Sequence, residues 1–249
     1  MEIITSRSNP VCAHIKKLGR NRKYRDENGK FLCDGEKLLD EAIKSGTEID
    51  IIITSKTLQC KLPEGTRVYH ADLSLIESIS PLKNPRDLLF SCKIPAVNDC
   101  SFYSGTNMLL DRIQDPGNVG NIIRSAHAFG LNCVILTEGS ADIYNPKTVR
   151  ASMGAIFKQR FHYIKKSEIH KLKKDGVKFI GTSINSSCTD ITKEDLRNSV
   201  IIVGNEGQGI SNELLAICDD MISIPMSSDC ESLNVAVAAS IIMWEAAKR

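Results

Sequence analysis

From residue 107 onward the chain repeats one pattern: a short, nearly unbroken apolar run, a polar break, then apolar positions three and four apart. The apolar runs are "MLLD" at 108–111, "CVILT" at 133–137, "VKFIGTS" at 177–183, "VIIVG" at 200–204 and "MISIP" at 221–225. Their length fits strands, and the lack of polar alternation predicts strands buried on both faces. Helices are predicted to start near Asn118, Asn145, Ser167, Ser211 and Glu231. Strands alternating with helices imply a parallel sheet covered on both sides. In such sheets ligands collect beyond the carboxyl ends of the strands.

The first ninety-odd residues follow a looser rhythm. "NPVCAHIKKL" spaces Val11, Ile15 and Leu18 as a helix behind an Asn-Pro start, and "GEKLLDEAIKSG" is an amphipathic helix with Gly46 as its stop. "IDIIITS", "RVYH" and "DLLFSCK" read as strands and "ADLSLIESIS" as a helix. The expectation is an α/β protein in two parts: a small α/β domain over 1–95, a Pro- and Ser-punctuated linker over 96–106, and the regular α/β domain over 107–249.

Composition changes this picture little. At 249 residues, 42% hydrophobic and 25% charged, the chain is of ordinary globular make-up. A formal charge of +2 gives no global drive toward nucleic acid. The charge does cluster, however. "KKLGRNRKYR" (Lys16 to Arg25) holds six basic residues and no acid, and fits either a phosphate contact or a solvated basic face. The N-terminus has no apolar signal region and nowhere do 18 apolar residues run together, so a cytoplasmic protein without a membrane partner is expected. Nine cysteines, odd in number and without a CxxC pair, predict reduced thiols with neither zinc site nor disulfide framework. The five histidines lack ligand spacing, and no metal is expected.

Three polar patches stand at predicted strand ends. In "LLDRIQDPGNVGNIIRSAHAFG", Val119, Ile122, Ile123 and Ala126 form a core stripe, with Asn118, Asn121 and Arg124 in a polar row beside it. Asn118 is a good N-cap, but capping does not explain the whole row. In "VIIVGNEGQGISNELL", three glycines after a strand allow a close backbone approach to a ligand, with Glu206 among them. The order is GxxGxG, which fits the GxGxxG turn of an NAD-dependent oxidoreductase poorly. In "SSDCESLNVAVAAS", Ser232 is the expected cap of a long apolar helix, and Asn234 in its first turn needs a partner.

Together the three patches resemble the motifs of the SpoU/TrmH branch of the SPOUT RNA methyltransferases. The motifs look like "NVGNIIR", "GNEGQGIS" and "IPMSSDCESLNVAVAAS", in order from Asn118 to Ser240. The upstream α/β region is similar to the family's substrate-binding domain. The resemblance implies methyl transfer from S-adenosylmethionine to a ribose 2′-hydroxyl in RNA, with ribosomal RNA favoured over transfer RNA and DNA not a partner. It also implies a C-terminal domain closed by a trefoil knot and a homodimer packed through that domain. By position, Arg124 matches the arginine assigned to the attacking hydroxyl, and Asn118 the asparagine that helps hold it. Glu206 matches the motif-2 acid, and Ser232 and Asn234 the polar pair of motif 3. Gly204, Ile224 and Leu233 match the cofactor contacts, with Thr182 and Met226 beside them.

The chemistry is consistent with the residues. A sulfonium methyl needs alignment and deprotonation of the acceptor, not a metal or a nucleophilic side chain. A guanidinium stays protonated, so Arg124 is expected to clamp an RNA phosphate rather than act as a base. Two rivals differ in class: an NAD-dependent Rossmann-type oxidoreductase, and a non-catalytic RNA-binding protein on the same domains.

Overall fold

A computed structural model describes residues 2–95, 100, 102–185, 187–227 and 229–248. In chain order its elements are β1 (Glu2–Ile3), α1 (Pro10–Arg20), α2 (Arg22–Asn28), β2 (Lys30–Asp34), α3 (Glu36–Lys44), β3 (Ile49–Thr54), β4 (Arg67–His70), α4 (Leu73–Ile79) and β5 (Leu88–Lys93). Then come β6 (Asn107–Leu110), α5 (Pro116–Ala128), β7 (Cys133–Leu136), α6 (Pro146–Ser152), β8 (Phe161–Tyr163), α7 (Lys166–Lys174) and β9 (Lys178–Thr182). The last are β10 (Thr189–Asp190), β11 (Ser199–Val203), α8 (Asn212–Leu215), β12 (Asp220–Ser223) and α9 (Val235–Ala247). They form two compact units, Met1–Ala96 with Asp142–Lys158, and Val97–Ala141 with Gln159–Arg249. Of the expected linker, residues 96–99 and 101 lie outside the described residues.

The first unit is built on a mixed sheet ordered β1-β4-β3-β5-β2, in which β5 runs antiparallel to both β3 and β2. Ile15, Leu18, Leu32, Ile53, Ile76 and Leu89 are fully or almost fully buried in its core. Helix α1 starts as its sequence demands: Asn9 accepts from the Val11 N–H, and Pro10 lacks the donor that a first turn would leave unpaired.

Three elements of this unit, the two-residue β1 among them, carry no apolar periodicity and are not foreseen. Strand β2 is "KFLCD". Helix α2 is "RKYRDEN", capped by Asn21 and stopped by Gly29 at φ 59°. The residue that α2 buries is a cation. Arg25 is 4% exposed, donates to the Leu18 carbonyl at 2.7 Å and pairs with Asp142 at 2.5 Å. One member of the basic run is thus committed to the interior and cannot reach a phosphate. Lys16, Lys17, Arg20, Arg22 and Lys23 stay exposed.

Helix α6, which the alternating pattern assigns to the regular half, packs on β2 in the first unit. Phe31 explains why. Its ring lies 4.7 Å from Tyr144 and 6.1 Å from Phe157, which bracket α6 in sequence. Arg150 of α6 also pairs with buried Asp34 and donates to the Lys83 and Asn84 carbonyls.

The second unit holds a seven-stranded sheet ordered β10-β12-β9-β11-β6-β7-β8, every neighbouring pair parallel. The expected parallel α/β sheet is therefore present. Leu109, Ile135, Phe179, Val200 and Ile202 are buried between its strands and helices. Because the strands are parallel, β6, β9, β11 and β12 all deliver their carboxyl ends to one edge, where the polar loops lie.

Three local expectations need correction. Helix α5 begins three residues early: Asp115 is its cap and Pro116 its first residue, so Asn118 sits in the first turn with its N–H bonded to the Asp115 carboxylate at 2.8 Å. Helix α9 begins late, and its cap is Asn234, not Ser232; the Asn234 side chain accepts from the Ala236 and Val237 N–H groups. Finally, Cys100 and Cys133 are joined by a disulfide. The start of β7 brings Cys133 within 5.9 Å (Cα to Cα) of a residue 33 positions upstream, a proximity set by tertiary packing and invisible to spacing rules.

Candidate active site

The loop after β11 is shaped by its glycines and by Asn205. Gly204 lies so close to the returning backbone that a Cβ there would sit 2.2 Å from the Gly209 carbonyl carbon and 2.3 Å from the Ile210 nitrogen. Only glycine fits. Asn205 and Gly209 exchange backbone hydrogen bonds at 3.0 and 2.9 Å, closing a tight loop. The Asn205 side chain accepts from the Gly207 and Gln208 N–H groups, both at 3.0 Å, and donates to the Arg112 carbonyl at 2.8 Å. This fixes the direction in which Glu206 leaves the loop.

The same loop is braced from β6. Asp111 is buried and accepts from the Ser211 N–H at 2.7 Å. Arg112, at φ 55°, donates to Asp111 and to Gln208 Oε1 at 3.0 Å. Asp111, Arg112, Asn205 and Gln208 have no role in the motif reading. The available signal is Asn205, a side chain that bonds its own backbone in turns, placed in a glycine-rich loop.

Three distant motifs meet in one short relay of amides. Asn118 Nδ2 donates to Glu206 Oε1 at 3.0 Å, and Asn234 Nδ2 donates to Asn118 Oδ1 at 3.0 Å. Asn234 uses its other atom, Oδ1, to cap α9. One side chain therefore answers both explanations of its polarity: it caps the helix and joins the cluster. Each amide in the relay has its orientation set by its neighbours, and among the described residues the second Glu206 oxygen has no hydrogen bond.

Beside the relay lies a cavity of about 800 Å³, within the size range of small-molecule sites. Thr182, Gly204, Glu206, Ile224, Met226, Ser232, Leu233 and Asn234 all line it, together with Ile184, Met221, Glu231 and Ile242, which no motif singles out as site residues. Asn118 does not line it but is bonded to Glu206 and Asn234, which do. Thr182 is itself fixed, donating to the Ile202 carbonyl at 2.9 Å. The lining is mostly apolar, has backbone polar groups around Gly204, and carries acid at its rim. That donor set suits a flat, partly apolar nucleoside ligand with a cationic end.

Arg124 is not brought to this cluster. It is exposed on α5, and its side chain has no hydrogen bond or ion pair to another described residue. Six residues separate it from Asn118, about 9 Å along the helix and roughly a third of a turn around it.

Comparison with known proteins agrees with this geometry. Residues 105–244 match the SpoU rRNA Methylase family and residues 9–89 the MRM3-like substrate binding domain. The chain is 32% identical to the 23S rRNA (guanosine(2553)-2′-O)-methyltransferase RlmP of Bacillus subtilis (strain 168), over 98% of each chain. It is 34% identical to the 23S rRNA (uridine(2479)-2′-O)-methyltransferase of Streptomyces viridochromogenes, over 99% of this chain and 92% of that one. Among solved structures, the AdoMet-bound rRNA methyltransferase from Sinorhizobium meliloti superposes with a TM-score of 0.84 at 28% identity, over 99% of this chain and 97% of that one. An α/β protein with a parallel sheet, an amide relay and a nucleoside-sized cavity is thereby placed in a class: the chain belongs to the SpoU rRNA methylase family. It is an RNA methyltransferase, with a substrate-binding domain preceding the catalytic one.

Proposed function

We propose that this chain transfers the methyl group of S-adenosylmethionine to a ribose 2′-hydroxyl of ribosomal RNA. The observation that carries the proposal is the relay that links Asn118 to Glu206 and Asn234, both of which line the cavity. Two relatives named as 23S rRNA 2′-O-methyltransferases favour ribosomal over transfer RNA. When bound, S-adenosylmethionine supplies an electrophilic methyl group on a sulfonium. Gly204, Ile224 and Leu233 would hold it, with Thr182 and Met226 at its sides. Asn118 and Asn234 orient Glu206, and with Ser232 they offer the hydrogen-bonding groups that would align the acceptor hydroxyl. Arg124, permanently protonated, clamps the RNA phosphate next to the target ribose, and that phosphate or water takes the hydroxyl proton.

The proposal includes a homodimer formed through the second unit, a trefoil crossing in its C-terminal segments and a cytoplasmic location. Supporting the dimer, α9 exposes Val237, Ile241 and Trp244 at spacings of four and three, and Trp244 packs beside Phe129, the residue that follows α5. A second copy would cover this stripe and bring its own Arg124 to the shared surface. Supporting the trefoil, α9 follows β12, two strands beyond β11 in the sheet, yet returns to pack on α5. Among the described residues no helix is long and apolar enough to cross a membrane.

The test is methyl transfer from labelled S-adenosylmethionine to undermethylated ribosomal and transfer RNA, with digestion to nucleosides and Arg124→Ala alongside. A labelled 2′-O-methyl nucleoside from ribosomal RNA, reduced about 100-fold or more in the variant, is expected. Label confined to transfer RNA or to a base would overturn the substrate or the chemistry respectively.

A further inference from the structure

The cavity treats charge in one direction. Among the described residues its ionisable lining side chains are Glu206 and Glu231, with no lysine, arginine or histidine to balance them. The two carboxylates differ. Glu206 has one oxygen held by Asn118 and belongs to the relay. The Glu231 side chain has no hydrogen bond or ion pair to a described residue, although it sits in the loop between β12 and the cap of α9 and borders the same space. An uncompensated carboxylate on the rim of a largely apolar cavity gives that space a negative potential without tying it to an internal partner.

We infer that Glu231 is a specificity-determining residue that favours the sulfonium donor over the product of the same transfer. The inference rests on S-adenosylmethionine occupying this cavity. In the transfer, the carbon–sulfur bond to the methyl breaks, a carbon–oxygen bond to the ribose forms, and the hydroxyl proton leaves to phosphate or water. The sulfonium becomes a neutral thioether. Donor and product, S-adenosylhomocysteine, thus share their adenosine and amino-acid parts and differ by a methyl and one positive charge. Apolar and backbone contacts discriminate weakly between two such ligands. A fixed negative charge separates them by that one charge, and its loss upon transfer weakens retention of the product. For unit charges a few ångströms apart in the dielectric of a solvent-exposed rim, the expected size is about three- to tenfold in affinity.

The experiment is titration calorimetry of the full chain with S-adenosylmethionine and with S-adenosylhomocysteine, for wild type, Glu231→Gln and Glu231→Asp, at low and high salt. Glu231→Gln should weaken donor binding about three- to tenfold while leaving product binding within about a factor of two. The difference should shrink at high salt, and Glu231→Asp should retain most of the preference. Because Glu231 is exposed in a loop, thermal melts of the variants should match wild type. Equal weakening of both ligands, or no change in either, with donor binding to wild type intact, would overturn the role of Glu231 alone. Absence of donor binding to wild type would overturn the methyltransferase assignment of the cavity, and the role of Glu231 with it.

Discussion

Arg25 in the first unit and Glu206 in the second are both held by partners far away in sequence, but the two units use such contacts differently. In the first unit two long-range pairs enclose charge. Arg25 is 4% exposed and its partner Asp142 has a side chain 12% exposed; Asp34, 2% exposed, is held by Arg150. These pairs fasten Asp142–Lys158 to the sheet, and their opposite charges meet internally, although the buried Arg25 Nε has no partner among the described residues. In the second unit the contacts that join the three motifs are made by neutral amides beside a cavity, and the carboxylates Glu206 and Glu231 line that cavity. Enclosed ion pairs fix a chain path; an amide relay fixes directions while leaving charge available. The first arrangement suits a scaffold and the second suits chemistry.

That contrast can be broken most forcefully at Arg25. Arg25→Ala removes one partner of an enclosed pair and strands Asp142, which should cost the first unit about 3–5 kcal/mol. Urea unfolding read by a probe in that unit checks it. A change under about 1 kcal/mol would mean that the pair is not what fastens the excursion.

A smaller effect is expected at Asn234, where cap and relay share one side chain. Asn234→Ala should lower stability by about 1 kcal/mol, and Asn234→Ser should recover most of that, because serine still caps. Neither should restore the bond to Asn118. Equal melting temperatures for the two variants would show that the cap contributes little.

The smallest effect concerns pH. In the first unit the His14 pKa is held below its ordinary value, chiefly by burial and then by the positive charges of Lys30, Arg67 and Lys17, with Asp50 opposing. Unfolded histidine takes its proton near about pH 6.5, whereas folded His14 does so only at lower pH. The unfolded state therefore binds more protons in that window. Stability should be complete above about pH 6.5 and fall as pH drops toward the folded value. His14→Gln should flatten the slope between about pH 7 and 5 in urea titrations; an unchanged slope would assign it to other groups.

Much of this architecture is legible in the order of the residues alone. The long strands of the second unit are continuous apolar runs, and parallel pairing follows from their alternation with helices. What escapes has identifiable causes. Helix α2 buries an arginine rather than an apolar stripe, so periodicity cannot mark it. Asn118 looks like a cap only as long as Pro116-Gly117 looks like a turn; the proline in fact sits in the first helical turn, which tolerates it. Motif order points to Thr182, Gly204, Glu206, Ile224, Met226, Ser232, Leu233 and Asn234, and these do border one cavity. The relay itself is not legible. Asn118 and Glu206 are 88 positions apart, and Asn118 and Asn234 are 116 apart. Nor is the brace of Asp111 and Arg112, whose charges look like an ordinary strand end.

The most direct test of the relay is a double-mutant cycle in single-turnover methyl transfer, using Asn118→Ala, Asn234→Ser and the pair together. If the amides act as one unit in orienting Glu206, each single variant should lose about 100-fold in rate, and the double variant should be little worse than either. Losses that multiply, to about 10,000-fold in the double variant, would mean that the two asparagines act independently and that the relay is not what organises the site.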